Sequence, residues 1–152
     1  TDVVHFASRH LAMLPNAAQT LEKLGLVRSV VSVMMDASVV EALDALYRNR
    51  ISGLALLNPD GGKVAANFSA SDLRALTSKS FRDFNRSILL YLTHSGQGIT
   101  PVSTVRTDTT LADTITTIVK SKVHRVYLVN ENDTIRGVCS MVDIVRFLYE
   151  SL

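Results

Sequence analysis

The sequence repeats itself once, and this repeat restricts the fold more than any other feature of the chain. Val33–Val39 aligns with Val105–Leu111, and Ile51 aligns with Val123, in each case 72 positions later. Internal similarity at a fixed spacing indicates one supersecondary unit that is used twice. Each copy holds roughly 60 residues, too few to bury a large core alone, so we expect the two copies to pack together.

The offset of the repeat falls by one residue at a predicted turn. A Ser-x-x-Asp motif occurs at 69–72 and again at 140–143, 71 positions later. Before it, the turn Asn-Pro-Asp-Gly-Gly at 58–62 faces the shorter Asn-Glu-Asn-Asp at 130–133. Surface loops tolerate insertions and deletions, so a change of length at this point supports a true repeat.

Both copies predict the same order of secondary structure. A short extended segment leads into a helix, which opens with Ser38-x-x-Glu41 in the first copy and with Thr110-x-x-Asp113 in the second. The first motif matches a capping box and the second is its shorter acidic variant. Two strands joined by a polar turn and a closing helix complete each copy. The predicted strands and closing helices are 30–33, 51–57, 64–68 and 70–76 in the first copy, and 102–105, 123–129, 135–139 and 141–148 in the second.

The predicted fold class is therefore α/β (α+β), with two β-α-β-β-α copies arranged as a pseudo-twofold pair. Two segments lie outside the copies. Residues 6–24 predict a helix that Pro15 interrupts and Gly25 ends. Residues 81–92 predict a helix with one apolar face, formed by Phe81, Phe84, Ile88, Tyr91 and Leu92. We expect an N-terminal helical segment at 1–28, a first domain at 29–80, a linker helix at 81–98 and a second domain at 99–152.

Composition excludes several classes of function. Hydrophobic residues make up 47% of the chain and charged residues 20%, which is typical of a folded globular protein. A net charge of +2 without a dense Lys/Arg run argues against a nucleic-acid partner. No apolar stretch approaches the roughly 18 residues that a membrane helix needs, so no membrane partner is expected. The single cysteine, Cys139, rules out an intramolecular disulfide and fits a reducing compartment, so we expect a cytoplasmic or nuclear location.

The chain carries no sequence motif of a common catalytic or metal site. His5, His10 and His94 lack metal-ligand spacing, and one cysteine does not suit a zinc site. No P-loop, nucleophile-elbow or Rossmann glycine pattern occurs. Cys139 lies among apolar residues of a predicted strand, where a small core residue is expected instead of a nucleophile. We therefore expect no enzyme activity, no cofactor and no bound metal.

Two stretches of the second copy resemble the end of a CBS (cystathionine-β-synthase) domain. They are Val123–Glu131, in which a His-Arg pair opens a strand, and Gly137–Ile144, in which a Gly-x-x-Ser-x-x-Asp run joins a strand to the last helix. Arg50–Leu54 and Ser69–Leu73 resemble the matching parts of a preceding CBS domain. The resemblance covers roughly residues 20–150. Within the family, the chain is similar to the gamma subunit of AMP-activated protein kinase and to its plant and fungal relatives.

The resemblance implies a regulatory module that binds AMP, ADP or ATP in a cleft between two CBS domains and reports energy status to a partner such as a protein kinase. By the same resemblance, Asp143 and Asp72 would hold ribose hydroxyls. Ser140, His124 and Arg125 would contact phosphate. The other implied ligand contacts are Ser52 and Gly53 from the other half, Thr100 and Pro101 beside the adenine, and Ser69 as the counterpart of Ser140. Apart from the resemblance, the charge of Arg50 and its place near a strand start make it a further candidate for a phosphate contact.

The same residues also have structural explanations. A Ser-x-x-Asp motif can cap a helix, with Ser at the N-cap and Asp at the third helical position. His124 and Arg125 are neighbours on a strand and face opposite sides, as a solvated edge pair would. The first copy departs from the family pattern, because Ala66 replaces a glycine and Ser52-Gly53 stands where the second copy has His-Arg. A ligand is therefore more strongly expected at the second copy.

Two alternative functions fit the same sequence. One is a ligand-free interaction module that forms a homodimer through its outer helices, where Phe147 and Tyr149 would be exposed. The other is a CBS pair for a different ligand, such as S-adenosylmethionine or a guanine nucleotide. The cationic pair at 124–125 favours a ligand that carries phosphate.

Overall fold

The computed structural model describes residues 2–59, 62–73, 80–94, 98–99 and 102–151. Its strands and helices follow the repeated order, and the α/β (α+β) fold class is confirmed. In chain order the elements are α1 (Asp2–Arg9), β1 (Ser32–Met34), α2 (Val39–Asn49), β2 (Gly53–Leu57), β3 (Val64–Ser69), α3 (Ile88–His94), β4 (Thr104–Arg106), α4 (Leu111–Ser121), β5 (Arg125–Val129), β6 (Ile135–Ser140) and α5 (Met141–Glu150). Short 3₁₀ helices occupy Leu11–Met13, Ala70–Leu73 and Ser80–Asn85.

Each copy forms its own three-stranded sheet, ordered β1-β2-β3 in the first copy and β4-β5-β6 in the second. The first two strands of each sheet are parallel, and the last two form an antiparallel hairpin. Both hairpins shift register at one place, between Leu56 and Leu57 in the first copy and between Leu128 and Val129 in the second. Because these two positions are equivalent in the repeat, the irregularity belongs to the repeated unit.

Packing divides the chain into two compact units that do not follow the order of the sequence. One unit combines Thr1–Ser29 with Ser103–Leu152, and the other is Val30–Val102. Four apolar side chains of the N-terminal segment are buried in the hydrophobic cluster of the second copy: Val4, Ala7, Leu21 and Leu26. Helical spacing in a sequence shows that a face will be buried, but not against which partner. The structure alone therefore assigns the N-terminal segment to the second copy.

The predicted helix at 6–24 is only partly correct. α1 ends at Arg9, and residues 14–25 form turns instead of continuing the helix. Pro15 has no backbone N–H to donate, and Asn16 has a left-handed φ of 60°, so a helix cannot pass this point. Gly25, with a φ of 66°, ends the segment as predicted.

The turns of the N-terminal segment cap a helix of the second copy. The backbone carbonyls of Gln19 and Ala17 accept hydrogen bonds from the N–H groups of Leu111, at 2.9 Å, and of Ala112, at 3.0 Å. These N–H groups lie in the first turn of α4, where a helix leaves its donors without internal partners. The two carbonyls of this stretch thus accept hydrogen bonds from α4 instead of from N–H groups of a helix of their own.

The linker predicted as one helix at 81–92 consists of two pieces. A 3₁₀ helix ends at Asn85, and α3 begins at Ile88. Between them, the Arg86 carbonyl accepts a hydrogen bond at 3.2 Å from the N–H of Val39, the first residue of α2. The predicted apolar face is confirmed for Ile88, Tyr91 and Leu92, which are buried, and for Phe84, which packs against them. The side chain of Phe81 lies outside the described part of the chain.

The closing helices of the two copies differ. The second copy ends in the predicted α-helix, α5, which Ser140 caps. The first copy has a 3₁₀ helix at Ala70–Leu73 in place of the first turn of the α-helix predicted at 70–76. Residues 74–79 lie outside the described residues.

Candidate functional site

In the second copy, the hairpin register brings the predicted site residues together. Arg125 at the start of β5 pairs with Ser140 at the end of β6, and Asp143 follows in the first turn of α5. The backbone carbonyl of His124 accepts a hydrogen bond from the N–H of Met141, at 2.9 Å. A strand start, a strand end and a helix start therefore meet at one edge of the sheet.

The first copy repeats this arrangement with smaller side chains. Gly53 at the start of β2 pairs with Ser69 at the end of β3, and Asp72 lies three residues further on. The backbone carbonyl of Ser52 accepts a hydrogen bond from the N–H of Ala70, at 3.1 Å. In each copy the start of the middle strand thus lies next to the Ser-x-x-Asp motif of the same copy.

Asp143 is buried, and both of its carboxylate oxygens accept hydrogen bonds. Ser140 donates to Oδ2 from its N–H, at 3.0 Å, and from its hydroxyl, at 2.6 Å, within a capping box that starts α5. Nε of Arg28 donates to Oδ1. Burial alone would raise the pKa of Asp143, but the hydrogen bonds from Ser140 and Arg28 outweigh burial and lower the pKa below its ordinary value. The carboxylate is therefore ionised at neutral pH.

Arg28 is the site residue that the sequence prediction missed. It forms an ion pair with Asp143, and its backbone exchanges two hydrogen bonds with Val138 of β6, at 2.9 and 3.0 Å. Arg28 therefore lies beside β6 in an isolated antiparallel β-bridge with Val138. One signal could have found it: Arg28 precedes Thr100 by 72 positions, so it is the first copy's equivalent of a residue that the resemblance places beside the ligand.

A glycine permits this approach to β6. A Cβ at Gly137 would overlap Cγ1 of Val27 and would lie 3.3 Å from the carbonyl oxygen of Arg28. Gly137 therefore occupies the position where the 27–28 segment crosses the strand. At the equivalent position of the first copy, Ala66 is fully buried and carries a Cβ.

Among the described residues, Asp72 in the first copy is held by its serine and not by an arginine. Its Oδ2 accepts hydrogen bonds from the Ser69 N–H, at 2.7 Å, and from the Ser69 hydroxyl, at 3.0 Å. No cation among the described residues forms an ion pair with Asp72. The hydroxyl of Tyr91 donates to the backbone carbonyl of Asp72, at 3.2 Å. The two copies therefore present carboxylates in different electrostatic surroundings.

The neighbouring residues His124 and Arg125 of the second copy lie in different environments. Val126 and Leu128 face the hydrophobic cluster, so Arg125 and Tyr127 project from the other face of β5. Burial raises the pKa of Tyr127 to about 12, although a hydrogen bond and the charge from Arg125 act in the opposite direction. Tyr127 is therefore neutral and adjacent to a half-buried cation. His124 precedes the strand and is exposed.

The remaining predicted contacts fall at the surface or outside the described residues. Arg50 ends α2 with a left-handed φ of 52°, and with Arg48 and Ile51 it lines an open cavity of about 600 Å³. Thr100 and Pro101 lie outside the described residues, so their proposed place beside an adenine stays a prediction.

Cys139 is a core residue, as predicted. It is fully buried in the cluster of the second copy. Burial raises the pKa of its thiol to about 12, so the thiol stays protonated at neutral pH and is a poor nucleophile. No group of three His, Cys, Asp or Glu side chains with metal-site geometry occurs among the described residues. Within the same ranges, no helix has the length and apolar character needed to cross a membrane.

We expect Asp143→Asn to flatten the acid side of the stability profile. The folded-state pKa of Asp143 is lowered, so its charged form stabilises the protein fully above the unfolded pKa of about 3.9. That contribution is lost as the pH falls through the lower folded pKa. Urea unfolding across pH 2–7 should show a steeper acid loss for the wild type, and Ser140→Ala should alter the same part of the curve. An equal loss of unfolding free energy in wild type and Asp143→Asn as the pH falls would contradict a lowered pKa for Asp143.

The sequence matches a protein-family model for the CBS domain at residues 22–78 and 98–150. Among curated proteins, the gamma-3 subunit of 5'-AMP-activated protein kinase from Bos taurus is 28% identical over 149 residues, covering 95% of this chain and 30% of the relative. The chain spans less than a third of the length of the first curated relatives that it matches.

Solved structures share the fold at low sequence identity. The CBS domain of a bacterial CNNM/CorC family Mg2+ transporter, in complex with ATP, matches with a TM-score of 0.72 and 13% identity, over 95% of this chain and 96% of that one. A CBS domain protein from Pyrobaculum aerophilum, complexed with AMP, matches with a TM-score of 0.68 and 23% identity, over 86% of this chain and 96% of that one. At these identities the likeness shows the fold.

Proposed function

The chain belongs to the CBS domain family, and from this premise we propose that it is a non-catalytic regulatory module that binds an adenine nucleotide, AMP, ADP or ATP. Binding would change the packing of the module, and a partner protein would respond to the difference. The proposed partner is a protein kinase, and the proposed location is the cytoplasm or the nucleus.

The ionised carboxylate of Asp143 is the observation that carries this proposal. Its side chain is 8% exposed, and hydrogen bonds keep it charged. An ionised carboxylate only accepts hydrogen bonds, which suits the paired hydroxyls of a ribose. Phosphate suits the surroundings as well, because the N-terminus of α5 and the backbone of Arg125, whose side chain is a phosphate-binding type, lie at the same sheet edge.

The relatives support an adenine nucleotide over other ligands. The bovine relative is a subunit of a kinase that is named for its activation by AMP. AMP is bound in the Pyrobaculum aerophilum protein and ATP in the transporter domain. We extend these ligands to this chain as a proposal, together with a kinase partner.

The first copy would offer a second and weaker site. Its serine and carboxylate, Ser69 and Asp72, match the arrangement of the second copy. The phosphate side differs, because Ser52 and Gly53 stand where the second copy has His124 and Arg125. Arg50 is the nearest candidate for a phosphate contact in that copy, from the end of α2.

A second candidate function is a ligand-free interaction module. Val142 and Tyr149 are 65% and 82% exposed on α5, an apolar pair separated by two turns of the helix. Such a face would suit a second copy of the chain. Phe147, which the sequence placed on this face, packs against the core instead. The interaction module would need no nucleotide, and this separates the two functions.

A thermal-shift panel distinguishes the candidates. AMP, ADP, ATP, GTP and S-adenosylmethionine would be tested against the whole chain. A ligand at 100 times its dissociation constant adds about 2.7 kcal/mol of stability. For a chain of this size, that raises the melting temperature by roughly 5–10 °C. A response to adenine nucleotides supports the proposal. A response to GTP or S-adenosylmethionine alone would identify that compound, and not an adenine nucleotide, as the ligand. No response to any of them would favour the interaction module.

We expect Asp143→Asn to weaken AMP binding by about tenfold and 2′-deoxy-AMP binding much less. The hydroxyl contact that the variant loses is already missing in the deoxy nucleotide. Isothermal titration of both ligands against wild type and variant gives a coupling energy, expected at about 1 kcal/mol or more. Asp72→Asn is the matched control in the first copy and should show a smaller coupling. Equal losses for the two nucleotides would mean that Asp143 acts through helix capping alone.

A further inference from the structure

Nε of Arg28 donates a hydrogen bond to Asp143, the carboxylate that the proposed function assigns to the ribose hydroxyls. We propose that Arg28 is a specificity-determining residue of the Asp143 site: its guanidinium competes within the chain for the hydrogen bonds that a ribose diol would make. This inference rests on the proposed nucleotide function. It assigns a role to a residue that lies outside both Ser-x-x-Asp motifs.

The acceptor capacity of Asp143 is limited. Each carboxylate oxygen has two lone pairs, so the carboxylate offers about four acceptor positions. Ser140 takes two of them at Oδ2, through its N–H and its hydroxyl. Arg28 takes one at Oδ1. A diol that needs two acceptor positions therefore meets a carboxylate with room for one, and Arg28 is the donor it would have to displace.

Arg28 can compete because its backbone is fixed while its side chain is accessible. The two backbone hydrogen bonds to Val138 hold the residue beside β6, and Val27 packs directly over Gly137. The guanidinium is therefore always close to Asp143, whatever the ligand concentration. Its side chain is 58% exposed, so it can move into solvent without disturbing the core.

Charge decides the competition in favour of Arg28. The bond from Arg28 joins two opposite charges, so Coulomb attraction adds to it. A ribose hydroxyl is neutral and lacks that attraction, so exchanging Arg28 for it weakens the interaction with Asp143. The expected result is a site whose affinity for diol ligands is lower than its geometry would allow. The described part of the first copy pairs no cation with Asp72, so this restraint distinguishes the two carboxylates.

Arg28→Met tests the proposal, because methionine keeps most of the side-chain length but donates no hydrogen bond. Isothermal titration would use AMP and 2′-deoxy-AMP with the whole chain. We expect Arg28→Met to bind AMP about tenfold more tightly than wild type, while 2′-deoxy-AMP changes by less than about threefold. Arg106→Met is the control, because it removes another arginine that pairs with an aspartate, Asp133, in the same unit. The control should leave both affinities unchanged.

The outcomes separate this inference from the proposed function. Binding of AMP to Arg28→Met but not to wild type would support both. If wild type binds AMP and Arg28→Met binds it equally or more weakly, Arg28 is not a competitor, and the nucleotide function stands. If neither protein binds AMP, ADP or ATP, the proposed function fails and the inference fails with it. Should Arg28→Met unfold, Arg28→Gln keeps a polar side chain but removes the charge that favours Arg28 over a ribose hydroxyl. Its AMP affinity should exceed that of wild type, and an affinity at or below wild type would overturn the inference.

Discussion

Deleting residues 2–24 should abolish the cooperative folding of the unit that contains residues 103–151. This segment buries Val4, Ala7 and Leu21 in the cluster of the second copy. Burial of a large aliphatic side chain contributes about 1.5–3 kcal/mol. The deletion also removes the carbonyls that accept hydrogen bonds from the start of α4. The combined loss is on the order of 5 kcal/mol, comparable with the whole stability of many domains.

Two-dimensional NMR and urea unfolding measure this effect. The shortened chain should lose the dispersed signals of β5 and β6, and its transition should broaden or disappear. Leu21→Ala should reproduce part of the effect, at about 2–5 kcal/mol. Met13→Ala is the control within the same segment, because Met13 is 79% exposed, and it should change stability little. A deletion variant with full dispersion and an unchanged midpoint would show that the second copy folds without the segment.

Gly137→Ala should destabilise the same unit by about 3 kcal/mol, at the upper end of the range for overpacking. The added Cβ would overlap Val27 and press against the carbonyl of Arg28, and neither the strand nor the segment across it can yield easily. The segment would have to move away from β6, which would weaken the hydrogen bonds between Arg28 and Val138. Urea unfolding of wild type and variant gives the free-energy difference.

A second substitution checks the mechanism. Val27→Ala removes the methyl group that the new Cβ would overlap, so the double variant Val27→Ala/Gly137→Ala should recover part of the lost stability. We expect a favourable coupling of at least 1 kcal/mol between the two positions. Strictly additive losses would mean that Gly137→Ala acts through the strand itself and not through contact with Val27.

The arrangement at Gly137 bears on the proposed ligand site as well as on stability. Val27 and Arg28 are neighbours, so the contact that requires a glycine also fixes the guanidinium beside Asp143. The first copy has an alanine, Ala66, at the equivalent position. Among the described residues, arginine pairs with only one of the two Ser-x-x-Asp carboxylates, and that one belongs to the copy with the glycine.

The sequence by itself determined the repeat, the fold class and the local geometry of each copy. Its repeat predicted one hairpin in each copy, and both hairpins show the same register irregularity. Its capping motifs predicted helix starts at Ser38 and Thr110, which the structure confirms. These features depend on residues a few positions apart, and at that range side-chain chemistry and backbone geometry act directly on each other.

Tertiary structure alone decided the core that the N-terminal segment joins and the partner of Asp143. Arg28 and Asp143 are 115 positions apart, and no local pattern links them. Their contact depends on the β-bridge between residues 28 and 138. The bridge in turn depends on the N-terminal segment, which buries Val4, Leu21 and Leu26 in the second copy's cluster. An apolar face does not specify its partner, because hydrophobic burial is non-directional. Only the folded core specifies the partner of the N-terminal segment. The same packing places the guanidinium of Arg28 beside Asp143, the carboxylate proposed to hold the ligand.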